Sequence, residues 1–90
     1  MIEKEFLYWL KERKRLKKKS AGDVISRCKR IERTFEIELD STLKNQKGYN
    51  TLYKKLMDKS DLYLKKGSNK ATAVAVLRRA AKHYFEFLQE

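Results

Sequence analysis

Apolar residues recur along the chain at three- and four-residue intervals, in stretches separated by short polar segments, which is the pattern of amphipathic helices. Residues 2–16, IEKEFLYWLKERKRL, predict a first helix. At about 100° per residue, Ile2, Phe6, Trp9 and Leu16 share one stripe, with Leu10 at its edge and Arg13 snorkelling from within it. Because its partners lie on the same face, Trp9 reads as a core anchor rather than a platform for stacking bases. The segment KKKSAG at 17–22 interrupts the pattern, and Ser20 suits the N-cap of a second helix, with Asp23 placed to favour its positive end.

That second helix, DVISRCKRIERTFEI at 23–37, holds Val24, Cys28, Ile31 and Phe35 within an arc of about 60°. Ser26, Lys29, Arg30 and Arg33 stand opposite, with Arg27 on the flank. A connector at 38–48 follows, with room for one helical turn after Asp40 or Ser41 and with Leu39 and Leu43 to pin it. A third helix is expected over 49–65, with Tyr49, Leu52, Tyr53, Leu56, Ser60, Tyr63 and Leu64 inward. KKGSNK at 65–70 closes it, and Gly67 suits a left-handed C-cap position. The fourth helix, 68–88, is capped by Ser68 or Asn69. Val74, Leu77, Ala81, Tyr84, Phe85 and Leu88 fill one arc of about 100°. Ala73, Val76, Ala80 and Phe87 widen that arc, so this helix must be central and covered by more than one neighbour. Only a narrow edge of Ala71, Ala75, Arg78, Arg79 and Lys82 is left.

Composition agrees with an all-α fold. There is no proline and there are only three glycines. Ninety residues predict one domain, a single compact bundle of four to five helices. No apolar run approaches the roughly 20 residues needed to span a bilayer, and no signal-peptide pattern opens the chain. The expectation is a cytoplasmic protein with no membrane partner. The single cysteine, Cys28, lies on an apolar face and reads as a small buried hydrophobe. One Cys and one His, far apart in sequence, provide no metal-ligand spacing and no nucleophile–base pair. His83 points off the apolar stripe and reads as a surface or partly buried residue. Neither a cofactor, a small-molecule ligand nor catalysis is expected.

Charge carries more information. The chain holds 23 Lys and Arg against 12 Asp and Glu, a net charge of +11. Residues 11–33 contribute eleven of those cations against Glu12, Asp23 and Glu32 alone. Positive charge bunched in this way repels itself unless it serves an anionic partner, and nucleic acid is the first candidate. KKKSAG and KKGSNK each lead into a helix start, so a wide phosphate-binding surface arises if the two starts emerge side by side. Three other readings remain: a module docking an acidic protein, an RNA-binding domain, and a membrane-surface helix at 2–16, whose apolar stripe the core requires.

The pairing of SAGDVISRCKRIERTF at 20–35 with NKATAVAVLRRAAKHYFEFL at 69–88, preceded by FLYWL at 6–10, resembles the N-terminal core-binding domain of tyrosine recombinases, the phage-integrase family. The resemblance spans nearly the whole chain and rests on spacing. It implies a SAM-like orthogonal bundle that clamps duplex DNA opposite a separate catalytic domain. It also implies DNA contacts on the second helix, the last helix and the turns before them. Here these are Lys18, Lys19, Ser20, Arg27 and Arg30, then Asn69, Lys70, Thr72, Arg78 and Lys82. The family's catalytic Arg, His, Lys and Tyr residues lie C-terminal to such a module. The expectation is therefore a DNA-binding module without chemistry of its own, either a fragment of an integrase or free-standing, with a C-terminal catalytic domain or other recombinase subunits as further partners.

Overall fold

The computed structural model describes all of Met1–Glu90 and is entirely helical. The elements are α1 (Glu3–Glu12), α2 (Lys18–Phe35), the single turn α3 (Leu39–Thr42), α4 (Gln46–Asp58), a 3₁₀ turn at Ser60–Leu62, and α5 (Lys70–Gln89). The Cα radius of gyration is 12.6 Å, against about 12 Å for a compact chain of this length. No helix is long and apolar enough to cross a membrane.

The fourth predicted helix is α5, and its position is as expected. It packs against all four other helices. Val74, Leu77, Ala80, Ala81 and Tyr84 are buried along it. Its C-terminal half meets α1 in an aromatic cluster, where Phe6 lies edge-on to Tyr84 at 4.8 Å and 5.2 Å from Phe87, and Trp9 packs on Phe87 at 5.7 Å. Such pairs add roughly 0.5–1.5 kcal/mol each beyond the area they bury. Trp9 is a core residue and its Nε1–H donates to Glu90 Oε2. Cys28 is fully buried, its Sγ–H donating to the Ala80 carbonyl at 3.4 Å, and burial pushes its thiol pKa up to about 12. It is an inert packing residue that fixes where α2 crosses α5.

Helix ends depart from the periodicity. α1 stops at Glu12 rather than residue 16. Arg15 takes a positive φ of 53° and the Leu16 N–H donates to the Leu10 carbonyl at 3.1 Å, turning the chain back. Ile2, expected on the inner stripe, is 46% exposed just before α1. α2 starts at Lys18, with Lys17 at the N-cap and no side-chain cap, so Ser20 lies inside the first turn and caps nothing. The reason is Ala21, which is fully buried and extends the Val24–Ile25–Cys28 stripe one turn back. α4 begins at Gln46, ahead of the expected residue 49, because Asn45 Oδ1 accepts the Gly48 N–H at 2.9 Å. Gly48 is required there, since a Cβ would fall 1.8 Å from the Thr42 carbonyl oxygen. α4 ends at Asp58 rather than 65, where Lys59, Ser60 and Asp61 favour a turn; the Tyr63 hydroxyl donates to the Leu56 carbonyl and Ser60 O accepts two N–H groups. Gly67 has the expected positive φ, 84°, but within a turn closed by Ser68 N–H to Lys65 O rather than as a helix C-cap.

One polar junction ties four helices together. The Met1 amine lies 3.0 Å from Asp40 and 3.6 Å from Glu32. The Tyr84 hydroxyl donates to Asp40 Oδ1 and accepts the Ile2 N–H, and Glu32 Oε2 accepts the Leu39 N–H at 3.0 Å. Hydrogen bonding to Asp40 raises the amine pKa above its ordinary 8.0 in spite of burial. Burial pushes the Asp40 carboxyl up, but the Tyr84 hydrogen bond and the amine outweigh it and hold the group below its usual 3.8.

Three outcomes follow for stability. Gly48→Ala forces overpacking against backbone and is expected to cost about 1–3 kcal/mol or more in urea denaturation. Glu36 occupies the left-handed C-terminal position of α2 at φ 52°, so Glu36→Gly is expected to add about 0.5–1 kcal/mol. The lowered Asp40 group stabilises above pH 3.8 and loses that contribution as pH falls through its folded pKa; the raised amine stabilises below pH 8.0 and loses its contribution as pH rises. Melting temperature against pH should therefore show a plateau between those values, and Asp40→Asn should lower the plateau and flatten both arms.

Candidate nucleic-acid interface

Few of the surface cations are ion-paired. Among all Lys and Arg residues only Arg13, Lys14 and Lys29 are salt-bridged, to Glu90 (3.5 Å), Glu86 (2.8 Å) and Glu3 (2.9 Å). Those acids lie on α1 and at the end of α5, and Glu32 and Asp40 are engaged by the amine. The expected contact residues Lys18, Lys19, Arg27, Arg30, Lys70, Arg78 and Lys82 have no carboxylate partner.

α5 orders one group of them. Its exposed edge presents Arg78, Arg79 and Lys82 in a shallow concavity beside His83 and Glu86. Burial holds the His83 imidazole below its usual range; Glu86 pulls the other way, and Lys14, Arg79 and Lys82 reinforce the lowering. The ring is neutral at pH 7 and the cationic character of this edge belongs to its Arg and Lys residues. Lys70 to Lys82 spans about 18 Å along the helix axis.

A second group meets where α2 passes the first turns of α5. Arg27 and Arg30 of α2, with Lys65 and Ser68 of the preceding turn, line one cleft of about 210 Å³ over Ala73, Val76 and Leu77. Val76 is one helical turn from Arg79, so cleft and edge adjoin along α5. Arg30 also has a structural duty, because its Nη2 donates to the Tyr63 carbonyl at 2.7 Å.

The remaining expected residues separate. Ser20 is two turns from Arg27 and about 20° around α2, so it shares that flank, and Lys19 aligns with Arg30 in the same way. Lys18 is about 180° from Arg27, on the flank of Lys29, which pairs with Glu3; it lies outside the group. Asn69 is the N-cap of α5, its Oδ1 accepting the Thr72 N–H at 3.2 Å, so that oxygen is committed to the helix. Thr72 is exposed in the first turn. The Arg78 guanidinium lies 4.1 Å over the Tyr53 ring.

The two helix starts do not emerge side by side. Lys14, three residues before the α2 N-cap, reaches Glu86 near the C-terminal end of α5. Asn69 lies 17 residues away at the other end, about 25 Å along the axis. The middle of α2, not its start, approaches the start of α5, because the α2–α5 crossing is set at Cys28 and Ala80. Lys65, Ser68 and Arg79 therefore join the surface although they were not among the expected contacts. Arg79 was accessible from its place on the helical edge, whereas Lys65 and Ser68 depend on the turn geometry.

Arg30→Ala strips the Tyr63 carbonyl of its donor and is expected to cost about 1–2 kcal/mol in urea denaturation. Arg79→Ala, on the solvent edge, should stay within about 0.5 kcal/mol of the parent. Comparison with protein-family models, with curated proteins and with solved structures finds no match to this chain.

Proposed function

We propose that the chain binds duplex DNA through the exposed edge of α5 and the adjoining flank of α2, as a positioning module of the kind found at the N-terminus of tyrosine recombinases, without chemistry of its own. One observation carries this reading: Arg78, Arg79 and Lys82 along α5 and Arg27 and Arg30 on the adjoining flank of α2 make no salt bridge, and no carboxylate lines the cleft between the two helices. Unpaired cations held in fixed positions on two packed helices release condensed counterions from a phosphate backbone, and that release drives association. The contacts are mainly to phosphates, with base reading confined to a few side chains. The surface differs from a clamp built on two adjacent helix starts: it is a stripe along one helix with a cleft at its side.

A groove between α4 and α5 favours a second reading, docking of an acidic protein helix. Tyr53, Met57, Val74 and the small residues Ala71 and Ala75 form its apolar floor, and Lys70 and Arg78 stand at its ends. Met57 is 44% exposed there.

For duplex DNA, neutralising roughly six phosphates gives a slope of log K against log salt near −5. Arg79→Ala with Lys82→Ala should reduce the magnitude of that slope by about two and leave the melting temperature unchanged. An affinity insensitive to salt would overturn the proposal. Binding of an acidic protein that survives nuclease treatment, with duplex DNA failing to compete, would favour the second reading.

A further inference from the structure

We infer that the cleft between α2 and the 63–68 turn is a seat for a single phosphoryl group. The inference rests on the nucleic-acid reading for the source of that group, but the seat itself is argued from its own lining. Arg27, Arg30, Lys65 and Ser68 line one cavity of about 210 Å³, and no carboxylate lines it. Three like charges around one small cavity repel one another unless an anion lies between them. The floor is apolar, formed by Ala73, Val76 and Leu77, so water screens the charges less than on open surface.

Preorganisation distinguishes these residues from the rest of the basic surface. Arg30 is anchored by its 2.7 Å hydrogen bond to the Tyr63 carbonyl. A guanidinium carries five N–H donors, so an anchored one still has donors for a ligand while its rotamer is already restricted. Arg27 is half-buried beside it, whereas Arg79 and Lys82 extend freely into solvent. The donors come from separate segments, α2 and the turn that precedes α5. A tetrahedral phosphoryl group has oxygens enough to accept from donors of both segments at once. Two sources present that chemistry, an internal phosphodiester of the backbone and a terminal phosphate monoester. Either one, once seated, fixes the register of the nucleic acid against the α5 edge.

The test begins with the chain alone and inorganic phosphate, at constant ionic strength with chloride as the counter-titrant. The Arg27 and Arg30 side-chain N–H signals and the Ser68 amide should shift together and saturate. Arg27→Gln should weaken phosphate binding by about tenfold or more. Lys65→Gln, at an exposed position that carries no packing, should weaken it in the same direction and guards against a folding artefact. A second arm compares one duplex with and without a 5′-phosphate. Tighter binding of the phosphorylated end assigns the monoester, equal binding with loss in Arg27→Gln assigns the internal diester, and both support the seat. Shifts that never saturate and spread over the lysines at large overturn it. If phosphate saturates the cleft while no duplex binds, the nucleic-acid proposal fails and the seat stands. If phosphate does not saturate the cleft while the duplex binds equally well to the parent, Arg27→Gln and Lys65→Gln, the seat fails alone.

Discussion

A helix that is apolar over more than half its girth cannot rest on a single neighbour, and the architecture follows from satisfying α5. Its buried residues, from Val74 to Tyr84, require cover on several sides. The chain provides it by packing α1, α2, α3 and α4 around the helix. Each neighbour removes part of the circumference from solvent, and what is left is the edge holding Ala71, Ala75, Arg78, Arg79 and Lys82. The surface offered to a partner is thus the remainder of a packing problem. In so small a domain few apolar side chains are spare, and the aromatic cluster of Phe6, Trp9, Tyr84 and Phe87 concentrates much of the burial where the first and last helices meet.

The same meeting of chain ends organises the charge. Acids of α1 and the end of α5 pair with Arg13, Lys14 and Lys29, and the Met1 amine takes Glu32 and Asp40. The pairs of Arg13, Lys14 and Lys29 are exposed enough to contribute little stability singly. Five of the twelve acids are engaged in this way, and the cations that make no salt bridge include those on the α5 edge and the flank of α2. A protein of net charge +11 has a positive field under any folding; this packing brings Arg27, Arg30 and Lys65 to one cleft and Arg78, Arg79 and Lys82 to one edge.

Periodicity identified most of the inside of the molecule. The stripes predicted for the second, third and fourth helices contain Val24, Cys28, Ile31, Tyr49, Leu52, Leu56, Val74, Leu77 and Tyr84, all buried, and even Ser60 and Tyr63 are buried after the helix has given way to a 3₁₀ turn. Leu39 and Leu43 pin the connector as their spacing suggested. The helix ends were less legible. Gly48 falls in the expected connector, yet it lies in the first turn of α4, where only a residue without a side chain fits beneath the Thr42 carbonyl. Ser20 looks like a cap, yet burial of Ala21 draws the helix start back to Lys18 and leaves Ser20 inside the first turn.

The candidate surface divides along the same line. Which side of each helix is cationic, and that the cations outnumber the acids, are properties of neighbouring residues at fixed angular spacing, so the amino-acid order alone determined them. Which cations meet was decided only in the folded chain. The Cys28–Ala80 contact joins residues 52 apart and the Arg30–Tyr63 bond residues 33 apart. Those contacts bring the middle of α2, rather than its lysine-rich start, to the beginning of α5. Helical periodicity carries no information about the crossing of two helices, because that crossing is set by side chains interlocking across long loops.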